Sequence, residues 1–272
     1  MKRLLSFLTV LLLLIPTAVD ASSTKVNNIG ITCQIDQNGT ATIVEKWDMD
    51  VSEGTEGYKI FNGMSDQPLT LVGVTDDRGV TYKNIGTWDS DVSRESKINK
   101  CGLIKDGGHY ELCFGLGDYG TRSYTMVYQI EHFVNQYKDQ QGINYAFISD
   151  MSLDVSDVTI HVTGMTPYNK DNAKIWALGY TGSVNFDNGG VTLKTDSLGS
   201  NKMQLLMGLE SNSYTSPNKR HASEKFADVV KDAKEGSSYS SGLSTVAKIM
   251  LFIFIIFVIL MVIIVVVALI VF

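Results

Sequence analysis

Cysteine, histidine and proline are all scarce in this chain, at three, four and four of 272 residues. Four prolines exclude a Pro-rich linker protein. The histidines, His109, His132, His161 and His221, fall at no metal-ligand spacing, and no H-E-x-x-H occurs. No metal and no cofactor are expected. Positive charge is short as well, with 23 Lys+Arg against 29 Asp+Glu, for a formal net charge of -6. Phosphate binding needs a clustered positive surface, so a nucleic-acid partner is excluded. No G-x-S-x-G nucleophile elbow occurs. With 44% hydrophobic and 19% charged residues, the chain is not a disordered acidic polymer.

What is present is concentrated at the two ends. Met1-Lys2-Arg3 precedes an apolar run from Leu4 to Ile15, then Pro16-Thr17-Ala18-Val19-Asp20-Ala21. A basic start, a short apolar core and a small-residue site read as a signal peptide over 1–21, cleaved before Ser22. The competing reading, a membrane helix, needs a longer run to cross about 30 Å of hydrocarbon. From Ile249 to Phe272 there is no polar or charged residue. As a helix rising ~1.5 Å per residue, that run reaches about 36 Å, enough to span a bilayer. Residues 249–272 are therefore expected to form one transmembrane helix and to make the lipid bilayer a partner. The region 22–248 then faces outward. No Lys or Arg follows Phe272 to mark a cytoplasmic side. This leaves open a fragment of a longer protein, an orientation fixed by the signal alone, or a lipid-anchor tail removed near Gly236-Ser237-Ser238.

Between the ends the dominant period is two, the signature of half-buried strands. Ile29, Ile31, Cys33 and Ile35 alternate with polar residues. Asp36-Gln37-Asn38-Gly39-Thr40 carries a hairpin signal, and Ala41, Ile43, Glu45 and Trp47 return on one side. Tyr124, Met126, Tyr128 and Ile130 form another face, as do Val158, Ile160 and Val162. Val191 to Leu193 and Met203 to Leu209 supply later strands. Turn signals at Asp77-Arg78-Gly79, Asp106-Gly107-Gly108 and Asp187-Asn188-Gly189-Gly190 separate the runs. Many short strands without long helices between them predict an all-β fold, an antiparallel β-sandwich ectodomain over 22–210. Residues 211–248 are rich in Ser, Asn, Lys and Gly. They read as a membrane-proximal stalk holding a short amphipathic helix near 223–233, then a Ser/Gly tether.

Cys101 and Cys113 lie symmetrically about Gly107, so a hairpin turn there would set them opposite each other. In an oxidising exterior they are the disulfide candidates. The alternative is two small buried hydrophobes. Cys33 belongs to an alternating strand and reads as core. Gly115-Leu116-Gly117-Asp118-Tyr119-Gly120 matches G-x-G-x-x-G. A β-patterned run follows it, whereas a dinucleotide site needs a helix there, so it reads as a turn between strands. Trp47, Trp88 and Trp176 are candidates for a ligand-stacking surface, set against the commoner use of aromatic rings as core. Glu45, Glu111 and Glu131 are the candidates for a paired-carboxylate site, which only a fold can assemble.

Three stretches resemble a known family. Ile35-Asp36-Gln37-Asn38-Gly39-Thr40-Ala41-Thr42-Ile43-Val44-Glu45-Lys46-Trp47 is similar to the opening hairpin of bacterial membrane proteins carrying domain of unknown function 2207. Tyr119 to Tyr128 resembles that family's Gly-x-x-x-Tyr-x-x-x-Tyr strand. Asp139 to Phe147 sits where the family has an Asp-Gly stretch before an aromatic strand, with Tyr145 in place of Trp. The family's Arg-x-Ile-Pro element is missing, and Tyr58-Lys59-Ile60-Phe61 stands there instead. The resemblance implies a secreted β-domain followed by membrane helices, and implies no activity. The function expected is a non-enzymatic binding or interaction module at the cell surface, with a protein, the cell wall or a second copy as partner. The alternative is a carbohydrate-binding or carbohydrate-active surface protein. No catalytic residues are assigned.

Overall fold

A computed structural model describes residues 24–149, 151, 153, 155–198 and 202–236. The signal-like segment, the apolar run at 249–272 and the tether beyond Gly236 lie outside these residues. Among the described residues no helix is long and apolar enough to cross a membrane.

The chain runs β1 (Lys25–Ile35), β2 (Ala41–Val51), β3 (Glu56–Phe61), β4 (Leu69–Asp76), β5 (Lys83–Thr87), α1 (Arg94–Lys97), β6 (Lys100–Asp106) and β7 (His109–Gly115). It continues through β8 (Gly120–Ile130), β9 (Asn135–Gln136), β10 (Gln141–Ile148), β11 (Val158–Thr163), β12 (Ala173–Leu178), β13 (Ser183–Asp187), β14 (Gly190–Thr195), β15 (Met203–Leu209) and α2 (Phe226–Gly236). The all-β class holds. The strands form a seven-stranded sheet in the order β13-β14-β11-β1-β2-β8-β4 and two four-stranded sheets, β12-β15-β10-β9 and β3-β7-β6-β5. One apolar core draws on all three.

The predicted hairpin at 36–40 is closed by Asp36, whose Oδ1 accepts the backbone N–H groups of Asn38 and Thr40 at 2.9 and 3.0 Å. Gly39 takes a left-handed φ of +82°, which explains glycine there. The turn sets Ile35 opposite Ala41, and β1 and β2 then share one buried face through Ile31, Cys33, Ile43, Glu45 and Trp47. Pairing is not antiparallel throughout. β1 lies parallel to β11 and β5 parallel to β6. Residues 36–157 separate β1 from β11, far beyond any local turn signal, and parallel neighbours always need such a crossover.

The disulfide expectation is corrected. The turn between β6 and β7 centres between Gly107 and Gly108, pairing Asp106 with His109. Cys101 therefore faces Phe114, and Cys113 faces Gly102. A slip of one residue sends the two side chains to opposite faces of the sheet. All three cysteines are free thiols, and all are buried. Burial pushes the Cys101 thiol up to about 11. Burial, then the nearby Glu56 and Glu111 carboxylates, pushes Cys113 up to about 12.

The stalk expectation is corrected as well. Gln141 on β10 holds Tyr214 from both sides, accepting its backbone N–H at 2.8 Å and donating to its carbonyl at 2.9 Å. The Tyr168 and Tyr214 hydroxyls are hydrogen-bonded to each other. Phe226 and Val230 on α2 are buried against Tyr137, Leu178 and Leu206. Residues 211–236 are thus part of the packed unit. An amphipathic helix with an apolar stripe covers a sheet face once one is within reach.

In the G-x-G-x-x-G run, β8 follows the glycines rather than a helix. A Cβ on Gly115 would sit 1.9 Å from the Lys97 carbonyl oxygen, so this glycine lets α1 lie against the end of β7.

In folded protein, iodoacetamide should label Cys33, Cys101 and Cys113 only slowly, because burial and protonation both suppress thiolate attack. In denaturant without reductant, mass spectrometry should find all three alkylated. A linked Cys101–Cys113 peptide would overturn the register.

Candidate functional site

Glu45 is fully buried in the middle of the inner face of the large sheet. Its Oε1 accepts the Trp47 indole N–H at 2.7 Å and the Lys59 ammonium at 3.0 Å. Its Oε2 accepts the Tyr128 hydroxyl at 2.7 Å and lies 2.9 Å from Lys59 Nζ. Lys59 Nζ also donates to the Phe147 carbonyl at 2.7 Å. Burial, then the Glu45 charge, holds the Tyr128 phenol far above its ordinary range, so it stays a donor. The group joins β2 and β8 of the large sheet to β3 of one small sheet and β10 of the other. An isolated buried charge would cost several kcal/mol, but here each charge is paired and hydrogen-bonded.

A second group repeats the chemistry nearby. Glu56 Oε2 accepts the Trp88 indole N–H at 2.8 Å and lies 2.8 Å from Lys97 Nζ. Lys97 also donates to Thr55 Oγ1 at 3.0 Å and to the Ser90 carbonyl at 2.7 Å. In both groups a buried lysine neutralises one carboxylate and a tryptophan N–H donates a hydrogen bond to it.

The two small sheets meet at a seam. Among the described residues β3 is the edge of its sheet and pairs only with β7. β10 pairs with β15 on one side, and on the other with β9 at Gln141 and Gly142 alone. Two cavities lie along β3. One, of about 210 Å³, is walled by Trp47, Met49, Leu116, Ile148, Met151 and Leu153, with Glu53, Glu56 and Lys59 at its polar side. The other, of about 170 Å³, carries amides from Asn62, Gln67, Asn135, Asn144 and Asn218, with Arg220 and His221. They share Ile60 and Ser149. A wider depression of about 420 Å³ beside α2 is lined mainly by charged side chains, among them Lys138, Glu224 and Asp228, and is open to solvent. The seam cavity has the apolar lining and few converging polar groups typical of a small-ligand site.

The sequence candidates are scattered. Trp47 and Trp88 are buried at 1% and 4% exposure, with their N–H groups committed to Glu45 and Glu56. The Trp47 ring borders the apolar cavity. Trp176 is half-buried on β12, 6.1 Å from the Phe226 ring and 5.3 Å from Lys234 Nζ. The three tryptophans make no common platform. Glu111 sits 2.9 Å from His109 Nε2 on the β6–β7 hairpin, and Glu131 is exposed beyond β8. Neither joins Glu45. Lys59, Glu56 and Lys97 escaped sequence reading. Glu45 lies between Ile43 and Trp47 on an apolar face, and Lys59 alternates with Gly57 and Phe61. A charge on such a face requires a buried counter-charge. Among the described residues no cluster of metal-ligating side chains occurs.

Residues 25–203 match the family described as predicted membrane protein (DUF2207), N-terminal domain. The chain belongs to that family. No curated protein matches. Among solved structures, a M1 zinc metallopeptidase of Deinococcus radiodurans is 11% identical at a TM-score of 0.37, covering 68% of this chain and 42% of that one. Yeast LTA4 hydrolase is 6% identical at 0.44, covering 71% of this chain and 31% of that one. Legionella pneumophila aminopeptidase A is 8% identical at 0.34, covering 71% and 22%. This chain thus spans less than half the length of each, and at these values the likeness says nothing of activity.

Removing one member of the Glu45–Lys59 pair strands the other. Lys59→Met and Glu45→Leu should each cost about 3–5 kcal/mol in urea unfolding. The double variant should cost clearly less than the sum, because neither charge remains. Tyr128→Phe should cost about 1.5–3 kcal/mol, the loss of a hydrogen bond to a charged group. Additive costs in the double variant would show that the pair is not coupled.

Proposed function

We propose that this member of a predicted membrane-protein family is a non-catalytic binding module held at the outer face of a membrane, with the seam between β3 and β10 as its ligand site. On this reading the three sheets form a sandwich displayed outside, the segment 1–21 directs export, and 249–272 crosses the bilayer once. The observation that carries the reading is the apolar cavity at the seam. It is concave, lies beside the β3 edge and the end of β10, and is lined mainly by apolar side chains. Two of the carboxylates nearest the seam are already engaged. Glu45 is closed off by Trp47, Tyr128 and Lys59, and Glu56 is held by Trp88 and Lys97. A general acid or nucleophile must reach its substrate, and Glu45 is wholly covered.

The carbohydrate-active reading retains one point in its favour, the Trp47 ring at a cavity with Glu53 and Glu56 on its margin. The two readings separate in one assay. Full-length protein in lipid nanodiscs should release no sugar from cell-wall polysaccharide and cleave no peptide above a protein-free control. Turnover that falls by orders of magnitude in Glu56→Gln would overturn the binding-module reading.

Orientation has its own check. Protease added to intact cells should trim the β-domain. A domain cut only after lysis would refute the outward placement.

A further inference from the structure

We infer that the seam takes an extended peptide strand from a partner, seated between the open edges of β3 and β10 with an apolar side chain in the 210 Å³ cavity. The inference rests on the binding-module reading and names the class of ligand.

The first observation is the pair of edges. Among the described residues β3 has no strand partner on one edge along Glu56–Phe61, and β10 has none beyond Gly142 on the side away from β15, where the Phe147 carbonyl is already taken by Lys59. Backbone N–H and C=O groups along a strand edge are strong hydrogen-bonding groups and a template for another strand. A ladder directly between the two would bring them to about 4.8 Å. Instead the Lys59 side chain bridges them, reaching the Phe147 carbonyl at 2.7 Å. Phe147 is the extra residue of a bulge, lying between Ala146 paired with Gln204 and Ile148 paired with Met203. A bulge re-aims backbone groups and ends regular pairing. Lysine and bulge together link the two edges where no ladder forms.

The second observation is the continuity of the space between them. The two cavities share Ile60 and Ser149, so they run end to end along β3. Six residues of β3 at about 3.3 Å each give a strand edge about 20 Å long, the length of a hexapeptide strand. Strand addition of this kind draws affinity from backbone hydrogen bonds and specificity from pockets for alternate side chains. The apolar cavity supplies one such pocket and the amide-lined cavity the next.

The third observation is charge. Glu53 and Glu56 stand at one end and Arg220, 51% exposed, at the other. Lys97 already pairs with Glu56, and Asp66 lies 3.8 Å from Arg220, so Glu53 is the exposed charge that sets the preference. The fitting peptide carries a basic residue at the Glu53 end and apolar residues at alternate positions after it.

The test uses full-length protein in nanodiscs and a pool of acetylated, amidated hexapeptides. Lysine is fixed at the first position, and Val, Ile, Leu, Phe, Thr and Ser vary after it. Affinity selection read by mass spectrometry should enrich peptides with apolar residues at alternate positions. Ser149→Trp, which fills the junction of the cavities, should weaken the enriched peptide at least tenfold. The same peptide N-methylated at alternate amides keeps its side chains but cannot complete a ladder, and should also bind at least tenfold more weakly to unaltered protein. No enrichment, or equal binding of the N-methylated peptide, overturns the strand inference. If peptides fail while cell-wall oligosaccharide binds in a Ser149-dependent way, the binding module stands and the peptide ligand falls. If turnover appears instead, both fall.

Discussion

A carboxylate and an ammonium buried together hold this protein's three sheets to one another. Glu45 lies on the large sheet, Lys59 on the edge of one small sheet, and the Phe147 carbonyl that Lys59 also reaches on the edge of the other. Such a pair adds little net stability over an apolar substitute, because desolvation offsets much of the attraction. Its consequence is geometric. Apolar contacts tolerate sliding, whereas a four-bonded carboxylate tolerates one arrangement. Trp47 and Tyr128 complete that arrangement by filling the remaining acceptor sites of Glu45.

The same constraint creates the seam. With Lys59 turned inward to Glu45, β3 and β10 meet through a side chain rather than a ladder, and beside it lie the apolar cavity and its amide-lined neighbour. Packing reinforces the spacing from both sides. The Phe114 ring stands edge-on to Trp47 at 6.3 Å, and Phe61 meets Tyr128 at 5.2 Å. The second tryptophan–glutamate–lysine group pins α1 and the Trp88 loop to the start of β3. One end of the groove is therefore as firmly set as its middle.

Local signals were read correctly where the physics is local. The alternation in β1, β2, β8 and β11 gave strands with the expected buried faces, because side-chain direction follows the pleat. The Asp36–Thr40 turn is specified by an aspartate that caps its own turn and a glycine that accepts positive φ. The G-x-G-x-x-G run read as a turn because a strand pattern follows it. The cysteine pairing failed by one residue of register. Sequence symmetry about Gly107 does not say whether a turn centres on a residue or between two, and that choice decides which face a side chain takes. The helix expected within 211–248 is present, but that residues 211–236 pack onto the β-domain was not legible, because composition reports solvation preference, not whether a complementary sheet face is near.

By itself, the sequence determined the β class, the strand faces, the family and the presence of two apolar ends, since each depends on periodicity, composition or motif along the chain. Only the tertiary structure decided the parallel pairing of β1 with β11, the partnership of Glu45 with Lys59 and the seam between β3 and β10. These join residues separated by 14 to 130 positions. Glu45 could be seen in the sequence as a charge on an apolar face, and Lys59 as another. That they neutralise each other, and link two strand edges in doing so, depends on three sheets meeting at one point, which no local pattern encodes.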